Sequence, residues 1–178
     1  MTSDGREIFA AFITEAKAFC DTVDGHETIS LGRFVRELAM RVVRLYAAAL
    51  QLPDVTSQTS DSSEILADAF SHEQESALTC ALEEKLGSYN TYREIFDPYD
   101  DPSEEAIYTS LGGDLAEIYN DLRDVLAVNE LKNEDALPDI LWNARFQFEH
   151  HWGEHATKAL RVIDSLLYRQ YVEVDGDA

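Results

Sequence analysis

The chain has 178 residues, and its 35 acidic residues against 14 Lys and Arg give a formal net charge of −21. So acidic a surface repels phosphate backbones and anionic lipid, which argues against nucleic-acid or membrane binding as the main activity. With 45% hydrophobic residues and this length, folding buries roughly 70% of the unfolded chain's surface. We therefore expect one domain with one hydrophobic core over residues 1–178.

The cysteine content and the N-terminal sequence indicate a cytoplasmic protein. Cys20 and Cys80 are the only two cysteines and have no C-x-x-C spacing, so neither a disulfide framework nor a cysteine-based zinc site is expected. The start, MTSDGREIFAAF, is charged and then amphipathic, which is not typical of a signal peptide. No window approaches the roughly 18 to 20 apolar residues that a membrane span needs.

Apolar residues recur at the three- and four-residue spacing of helices with one buried face, and capping or breaking residues mark the predicted ends. In chain order, the first helix spans about 3–23 before Gly25, the second follows Ser30 and stops before Pro53, the third follows Ser71 and ends at Gly87, the fourth follows Ser110, and the fifth runs from about Asp135 to Tyr168. The sequence thus predicts an all-α fold, an antiparallel bundle of about five main helices.

Two stretches lack the helical pattern. Residues 54–63, DVTSQTSDSS, are polar and rich in Ser and Thr, so we expect a mobile connection there. Residues 90–109 contain Pro98 and Pro102, each preceded by Asp, and predict an irregular loop. No alternation typical of a β-strand appears along the chain.

A cluster of histidines in the last predicted helix is the stretch that most resembles a chemical site. His151-Trp152-Gly153-Glu154-His155 fits the H-x-x-E-H pattern, in which two His one turn apart hold zinc and the Glu activates water. Such peptidases take a third ligand from a long downstream portion, and here only a short segment follows. Gly153 also costs about 1 kcal/mol relative to Ala in that turn, so a zinc peptidase is not expected.

A di-iron carboxylate bundle requires Glu-x-x-His on two helices. None of the five histidines has Glu three positions before it. This kind of site is excluded, and we assign no catalytic residue, metal or cofactor from the sequence.

A uniform rotation of 100° per residue sorts the polar residues of the last helix. Arg145 then falls in the middle of the inward stripe, with His155 near one edge and His151 at its border. His150 and Glu154 face solvent. The inward stripe itself consists of Leu141, Phe148, Trp152, Ala159 and Ile163.

An inward Arg145 needs a partner, because an unpaired buried charge costs several kcal/mol. Glu149, one turn beyond it, is the nearest candidate, and Asp114 or Asp121 on the fourth helix could supply the rest. One interpretation is an internal ion pair, with His155 hydrogen bonded alongside, that only fixes the register of the helices.

Three functional hypotheses follow. The preferred one is a non-enzymatic interaction or accessory protein, whose unidentified protein partner contacts the FDPY loop, residues 96–99, and the end of the fifth helix.

The second is a small-anion binding module or enzyme with a semi-buried pocket of Arg145, Glu149, Trp152 and His155, where Arg145 binds the anion and His155 is acid or base. The third is metal binding by His151 and His155 with help from a carboxylate. The sequence gives no signal for an oligomeric state.

Two runs of like charge are expected on helix surfaces. The fourth helix carries Asp114, Glu117, Asp121 and Asp124 on one side, which could be a divalent-cation surface but which we expect to be a solvated face. The second helix carries Arg33, Arg36 and Arg44, which could mark a partner site but which we expect to pair with neighbouring acidic helices.

Three segments within residues 89–166 resemble a family of bacterial proteins catalogued as a domain of unknown function: YREIFDPYDDPSEE, SLGGDLAEIYNDL and LWNARFQFEHHWGEHATKALR. The residues that carry the resemblance are Phe96, Asp97, Pro98, Ser110, Asp114, Asp121, Trp142, Arg145, Phe146, Glu149, His151, Trp152, Gly153 and His155. The chain departs at Gly112 and Gly113, where the family tends to have helix formers or Asp, so the fourth helix is expected to begin one turn later. The resemblance implies a helical fold and a bacterial or archaeal cytoplasmic source, and no activity.

Overall fold

The structure, a computed structural model, describes residues 3–57, 71–94, 107–130 and 136–169. Its elements are α1 (Ser3–Asp24), α2 (Leu31–Ala49), α3 (His72–Leu86), β1 (Thr91–Glu94), β2 (Ile107–Ser110), α4 (Leu111–Glu130), α5 (Leu137–Gln147), a π turn (Phe148–Trp152) and α6 (Gly153–Tyr168). The predicted all-α helical fold is confirmed, and α5, the π turn and α6 together form the predicted fifth helix. Residues 58–63 of the predicted connection and 95–106 of the predicted loop, including FDPY, lie outside the described residues.

The apolar faces of the helices meet in one core. Helix α1 packs against α2 and α4, α6 packs against the same two helices, and α3 covers α4. Phe12, Phe34, Leu115 and Trp152 are all buried in this core. Burial of a large apolar side chain contributes roughly 1.5–3 kcal/mol, so these contacts dominate the energy that holds the histidine-bearing helix in place. None of the helices in the described ranges combines the length and the apolar character that a membrane span requires.

Local caps end the helices where the sequence predicts. The Ser30 side chain accepts from a backbone N–H in the first turn of α2, and Ser71 with Gln74 forms a capping box at α3. Gly87 ends α3 with a φ of 55°, a value that residues with a Cβ rarely adopt. These ends therefore follow from side chains within one turn of each terminus.

Helix α4 begins at Leu111, so the prediction that it starts one turn later is wrong. Gly112 lies inside the first turn, where a Cβ would be 2.9 Å from the backbone nitrogen of Glu83 in α3. The hydroxyl of Ser110 accepts the N–H of Gly113 at 3.0 Å. Gly112 thus allows a close approach of α3, and neither glycine delays the helix.

Two short strands lie at the two ends of residues 90–109, the stretch that the sequence predicts as an irregular loop. Strands β1 and β2 pair antiparallel, with Thr91 opposite Ser110 and Glu94 opposite Ile107. Each strand has four residues, and most of their side chains are exposed or half-buried. Because no apolar face is buried along them, their sequence carries no alternation that would reveal a strand.

Candidate functional site

A π turn lies at the histidine cluster. The N–H of Gly153 donates to the carbonyl of Phe148, five residues earlier. A Cβ at position 153 would lie 2.3 Å from that carbonyl oxygen, so only glycine fits here without a shift of the backbone. Such turns are rare and are often found at functional sites. Glycine weakens an ordinary α-helix, but at position 153 its lack of a Cβ permits the π turn.

The π turn changes which side chains face the core. The extra residue in the turn breaks the uniform rotation of 100° assumed from the sequence. As a result, Arg145 lies at the rim of α5 with 32% of its side chain exposed, and its predicted place in the middle of the inward stripe is wrong. The five residues of the predicted stripe, Leu141, Phe148, Trp152, Ala159 and Ile163, are all buried. On α5, however, Ile140 and Ala144 are buried beside them in place of Arg145.

Arg145 has two partners. Its Nε donates to Oε1 of Glu149 at 2.7 Å, and Nη1 donates to the carbonyl of Leu52, just after α2, at 3.0 Å. Glu149 is therefore a partner of Arg145, as predicted. The other two predicted partners, Asp114 and Asp121, contact His155 and His151 instead. Since 44% of the Glu149 side chain is exposed, its negative charge stands beside the guanidinium at the surface. That charge opposes the binding of a second anion, so the arrangement does not favour the anion-binding hypothesis.

Two histidines contact carboxylates on α4. Nδ1 of His151 lies 2.7 Å from Oδ2 of Asp121, and Nδ1 of His155 lies 2.8 Å from Oδ1 of Asp114. The two imidazole rings are one turn apart, with centroids separated by 5.1 Å. We call these four residues the His–Asp site. It joins α4 to the end of the π turn and the start of α6, and it does not include Arg145.

The carboxylate side of α4 is not the solvated face that the sequence predicts. The side chain of Asp114 is 3% exposed and that of Asp121 is 12% exposed. The hydroxyl of Tyr92 in β1 donates to the second oxygen of Asp114 at 2.5 Å, so both oxygens of this buried carboxylate are hydrogen bonded. The seven-residue spacing that places Asp114 and Asp121 on one face was visible in the sequence, but the packing of that face against the histidines was not.

Burial and neighbouring charges shift the ionisation of this site. Burial raises the pKa of Asp121, and the hydrogen bond and charge of His151 offset this only in part. Partial burial acts to lower the pKa of His151, but the hydrogen bond to Asp121 and the charges of Asp121 and Glu117 outweigh it, so the pKa of His151 is raised. Burial and the hydrogen bond to Asp114 raise the pKa of Tyr92, which therefore remains a donor.

Trp152 lies in the core and does not line a pocket with Arg145. Its ring packs against Phe12, with centroids 6.4 Å apart, and against Phe148, with centroids 4.8 Å apart. Because it is almost fully buried, Trp152 anchors the π turn to α1. The six residues singled out from the sequence thus fall into three places: the Arg145–Glu149 pair at the rim, Trp152 in the core, and His155 with the α4 carboxylates.

A row of three stacked rings lies on the outside of α5 and the π turn. The rings of Trp142 and Phe146 have centroids 5.0 Å apart, and those of Phe146 and His150 are 4.4 Å apart, each pair within 18° of parallel. Phe146 is 41% exposed and His150 is exposed. We call Trp142, Phe146 and His150 the aromatic row. The four-residue spacing of the three rings is a signal from which this row could be predicted.

Among the described residues, no group of three His, Cys, Asp or Glu side chains is arranged to hold a metal ion. The His–Asp site nevertheless has a carboxylate beside one imidazole, since Oε2 of Glu117 lies 3.8 Å from Nε2 of His151. The candidate ligands for the metal-binding hypothesis are thus the imidazoles of His151 and His155 and the carboxylate of Glu117.

Comparison with known proteins agrees with the fold and adds no activity. No curated protein matches the chain. The crystal structure of protein BF1032 from Bacteroides fragilis has the same fold, with a TM-score of 0.79, 22% sequence identity, and coverage of 94% of this chain and 96% of that one. The family described as "Domain of unknown function (DUF5063)" matches residues 3–169. The match extends well beyond the C-terminal half that carries the motif resemblance, and the chain therefore belongs to the DUF5063 family.

Proposed function

We propose that the protein is a cytoplasmic, non-enzymatic interaction protein that binds a protein partner through the aromatic row. The observation that carries this proposal is the stack of Trp142, Phe146 and His150 on the outside of α5 and the π turn, in which Trp142 is half-buried and the other two rings are exposed. Aromatic residues and Arg are enriched at the centres of protein interfaces, where a few of them contribute most of the binding energy. Rings already held by stacking also lose little side-chain freedom on binding.

The polar residues beside the row suit the same role. Arg145 follows Trp142 by three positions and Glu149 follows Phe146 by three positions, so each lies beside a ring of the row. Their ion pair leaves the guanidinium and the carboxylate satisfied before any partner arrives. A partner that covers the rings therefore does not have to neutralise a lone charge, which would be costly.

The net charge of the whole chain favours a basic partner. With a net charge of −21, the protein attracts basic surfaces over a distance of about 10 Å at 0.1 M salt. We therefore expect a partner segment with an apolar anchor flanked by Lys or Arg. Association with such a partner slows as salt concentration rises, because screening mainly affects the rate of encounter.

Site-specific photo-crosslinking in cells of the source organism tests the proposal. A benzophenone amino acid replaces Phe146 in the aromatic row, and in a control it replaces Tyr168, which is 71% exposed at the end of α6. The two positions thus distinguish the aromatic row from the end of the last helix, which the sequence predicts as part of the partner surface. We expect one crosslinked product of defined mass from position 146, absent from position 168 and lost when Trp142→Ala is added. Equal products from both positions, a product that contains only copies of this chain, or no product would contradict the proposal.

A further inference from the structure

We propose that His151 and His155 form a binding site for a divalent transition-metal ion, with the Nε2 atoms of the two imidazoles as protein ligands. The site lies on the α4 side of the last helix and is separate from the aromatic row. It does not depend on the proposed interaction, so either proposal can fail without the other.

The hydrogen bonds to the two Asp residues determine which nitrogen is free. An ionised carboxylate can only accept, so Nδ1 of His151 and Nδ1 of His155 carry hydrogen at distances of 2.7 and 2.8 Å from their partners. In the neutral imidazole the other nitrogen, Nε2, then has the lone pair. An imidazole whose N–H donates to a carboxylate while its second nitrogen holds a metal is a recurrent arrangement in metalloproteins.

The helix brings the two imidazoles together. The four-residue spacing places His151 and His155 on the same side, and their ring centroids are 5.1 Å apart. Two histidines at this spacing on one helix are the ligand pair of many zinc enzymes. The carboxylates that orient them come from a second helix, α4, so both rings are fixed by packed secondary structure and do not depend on a loop.

The surroundings favour a cation over an anion. Glu117 and Glu154 both add negative charge at His151, and Oε2 of Glu117 is 3.8 Å from its Nε2. The two imidazoles and Glu117 do not form a closed three-ligand cluster as they stand. A bound ion therefore completes its coordination with water or through rotation of the half-exposed Glu117 side chain. Imidazole nitrogen selects Zn²⁺, Ni²⁺ or Cu²⁺ over Mg²⁺ and Ca²⁺, which prefer oxygen.

The alternative is that the two His–Asp contacts only clamp α4 to α6. Titration calorimetry with Ni²⁺ separates the two cases, using protein without a histidine tag at pH 7.5. We expect one ion per chain, and about tenfold or greater loss of affinity in both His151→Gln and His155→Gln. The control His72→Gln alters an exposed histidine at the start of α3 and should leave affinity unchanged. No saturable binding by the natural chain, or an equal loss in the control, would overturn the proposal.

A second measurement needs no variant and so remains informative if a substitution prevents folding. One equivalent of Cu²⁺ is added to the natural chain, and its electron paramagnetic resonance spectrum is recorded. Coordination by His151 and His155 predicts hyperfine splitting from two imidazole nitrogens. A spectrum typical of oxygen ligands alone would refute the site.

Asp114→Asn should weaken Ni²⁺ binding by roughly 10–100-fold, as is usual for partners that orient a ligand.

Discussion

Replacing Gly153 with Ala is expected to destabilise the protein, although Gly→Ala within a helix normally stabilises it by about 1 kcal/mol. The added Cβ would lie 2.3 Å from the carbonyl oxygen of Phe148 and 3.1 Å from its ring. The backbone must therefore move by roughly 1 Å to reach an ordinary van der Waals contact. Phe148 has little room to yield, because its ring is buried against Tyr46 and Trp152.

Overpacking of this kind costs roughly 1–3 kcal/mol, and a clash with backbone belongs at the upper end. After the gain in helix propensity, we expect Gly153→Ala to lower the free energy of unfolding by about 2 kcal/mol. For a chain of this size, this corresponds to a decrease in Tm of about 4–8 °C.

Thermal unfolding followed by circular dichroism provides the assay. The matched control is Thr157→Ala on the same helix, where the side chain is exposed and its hydroxyl bonds only a local carbonyl. Removal of this β-branched residue should leave Tm unchanged or slightly raised. If Gly153→Ala unfolds at the same temperature as the natural chain or higher, the π turn does not require glycine and the reasoning fails.

Three further predictions concern the ionisable groups. Tyr92→Phe removes a donor from the buried carboxylate of Asp114 and should lower the free energy of unfolding in urea by about 1–3 kcal/mol; an unchanged midpoint would show that this hydrogen bond contributes nothing. Arg145→Ala should cost about 1–2 kcal/mol, because it removes a half-exposed ion pair and the hydrogen bond to the carbonyl of Leu52, and a loss of about 3 kcal/mol or more in the same titration would mean that the guanidinium is effectively buried. The pKa of His151 is raised in the folded state. Protonated His151 therefore stabilises the fold fully below the ordinary pKa of 6.5, and this stabilisation is lost as pH rises through the raised pKa. We thus expect the free energy of unfolding to fall with rising pH above this value, by less than about 1.4 kcal/mol per pH unit, and His151→Gln to flatten that slope; an identical slope in the variant would exclude His151 as its source.

The π turn explains why adjacent residues belong to different surfaces. His150 stacks on Phe146 in the aromatic row, whereas His151 contacts Asp121 on α4. Gly153 permits the turn that carries both. What looks in the sequence like a single cluster of histidines is therefore divided between an outer face and a contact between helices.

Local signals predicted the helices well. Ser30, Ser71 and Gly87 act within one turn of the helix ends that they mark, so a short window of sequence contains the whole cause. The apolar spacing likewise identified core residues such as Phe12 and Leu115, which are fully buried. The strands were missed because each has only four residues and buries no apolar face, which leaves no periodic pattern.

The site was harder to predict because its causes are not local. The position of Arg145 was misjudged because a π turn three residues later breaks the regular rotation of the helix. The carboxylates of Asp114 and Asp121 looked like a solvated face because no sequence pattern shows that α4 packs against α6. Which histidine meets which carboxylate depends on that packing, and on contacts between residues 30 and 41 positions apart.

The most direct test of the central claim is the affinity of the crosslinked partner for three purified proteins: the natural chain, Phe146→Ala and Tyr168→Ala. Both substituted rings are exposed, but only Phe146 belongs to the aromatic row. A ring at the centre of an interface is worth at least about 2 kcal/mol, so Phe146→Ala should weaken binding by roughly 30-fold or more. Tyr168→Ala should leave binding unchanged. Equal affinities for all three proteins would contradict the claim that the aromatic row binds the partner.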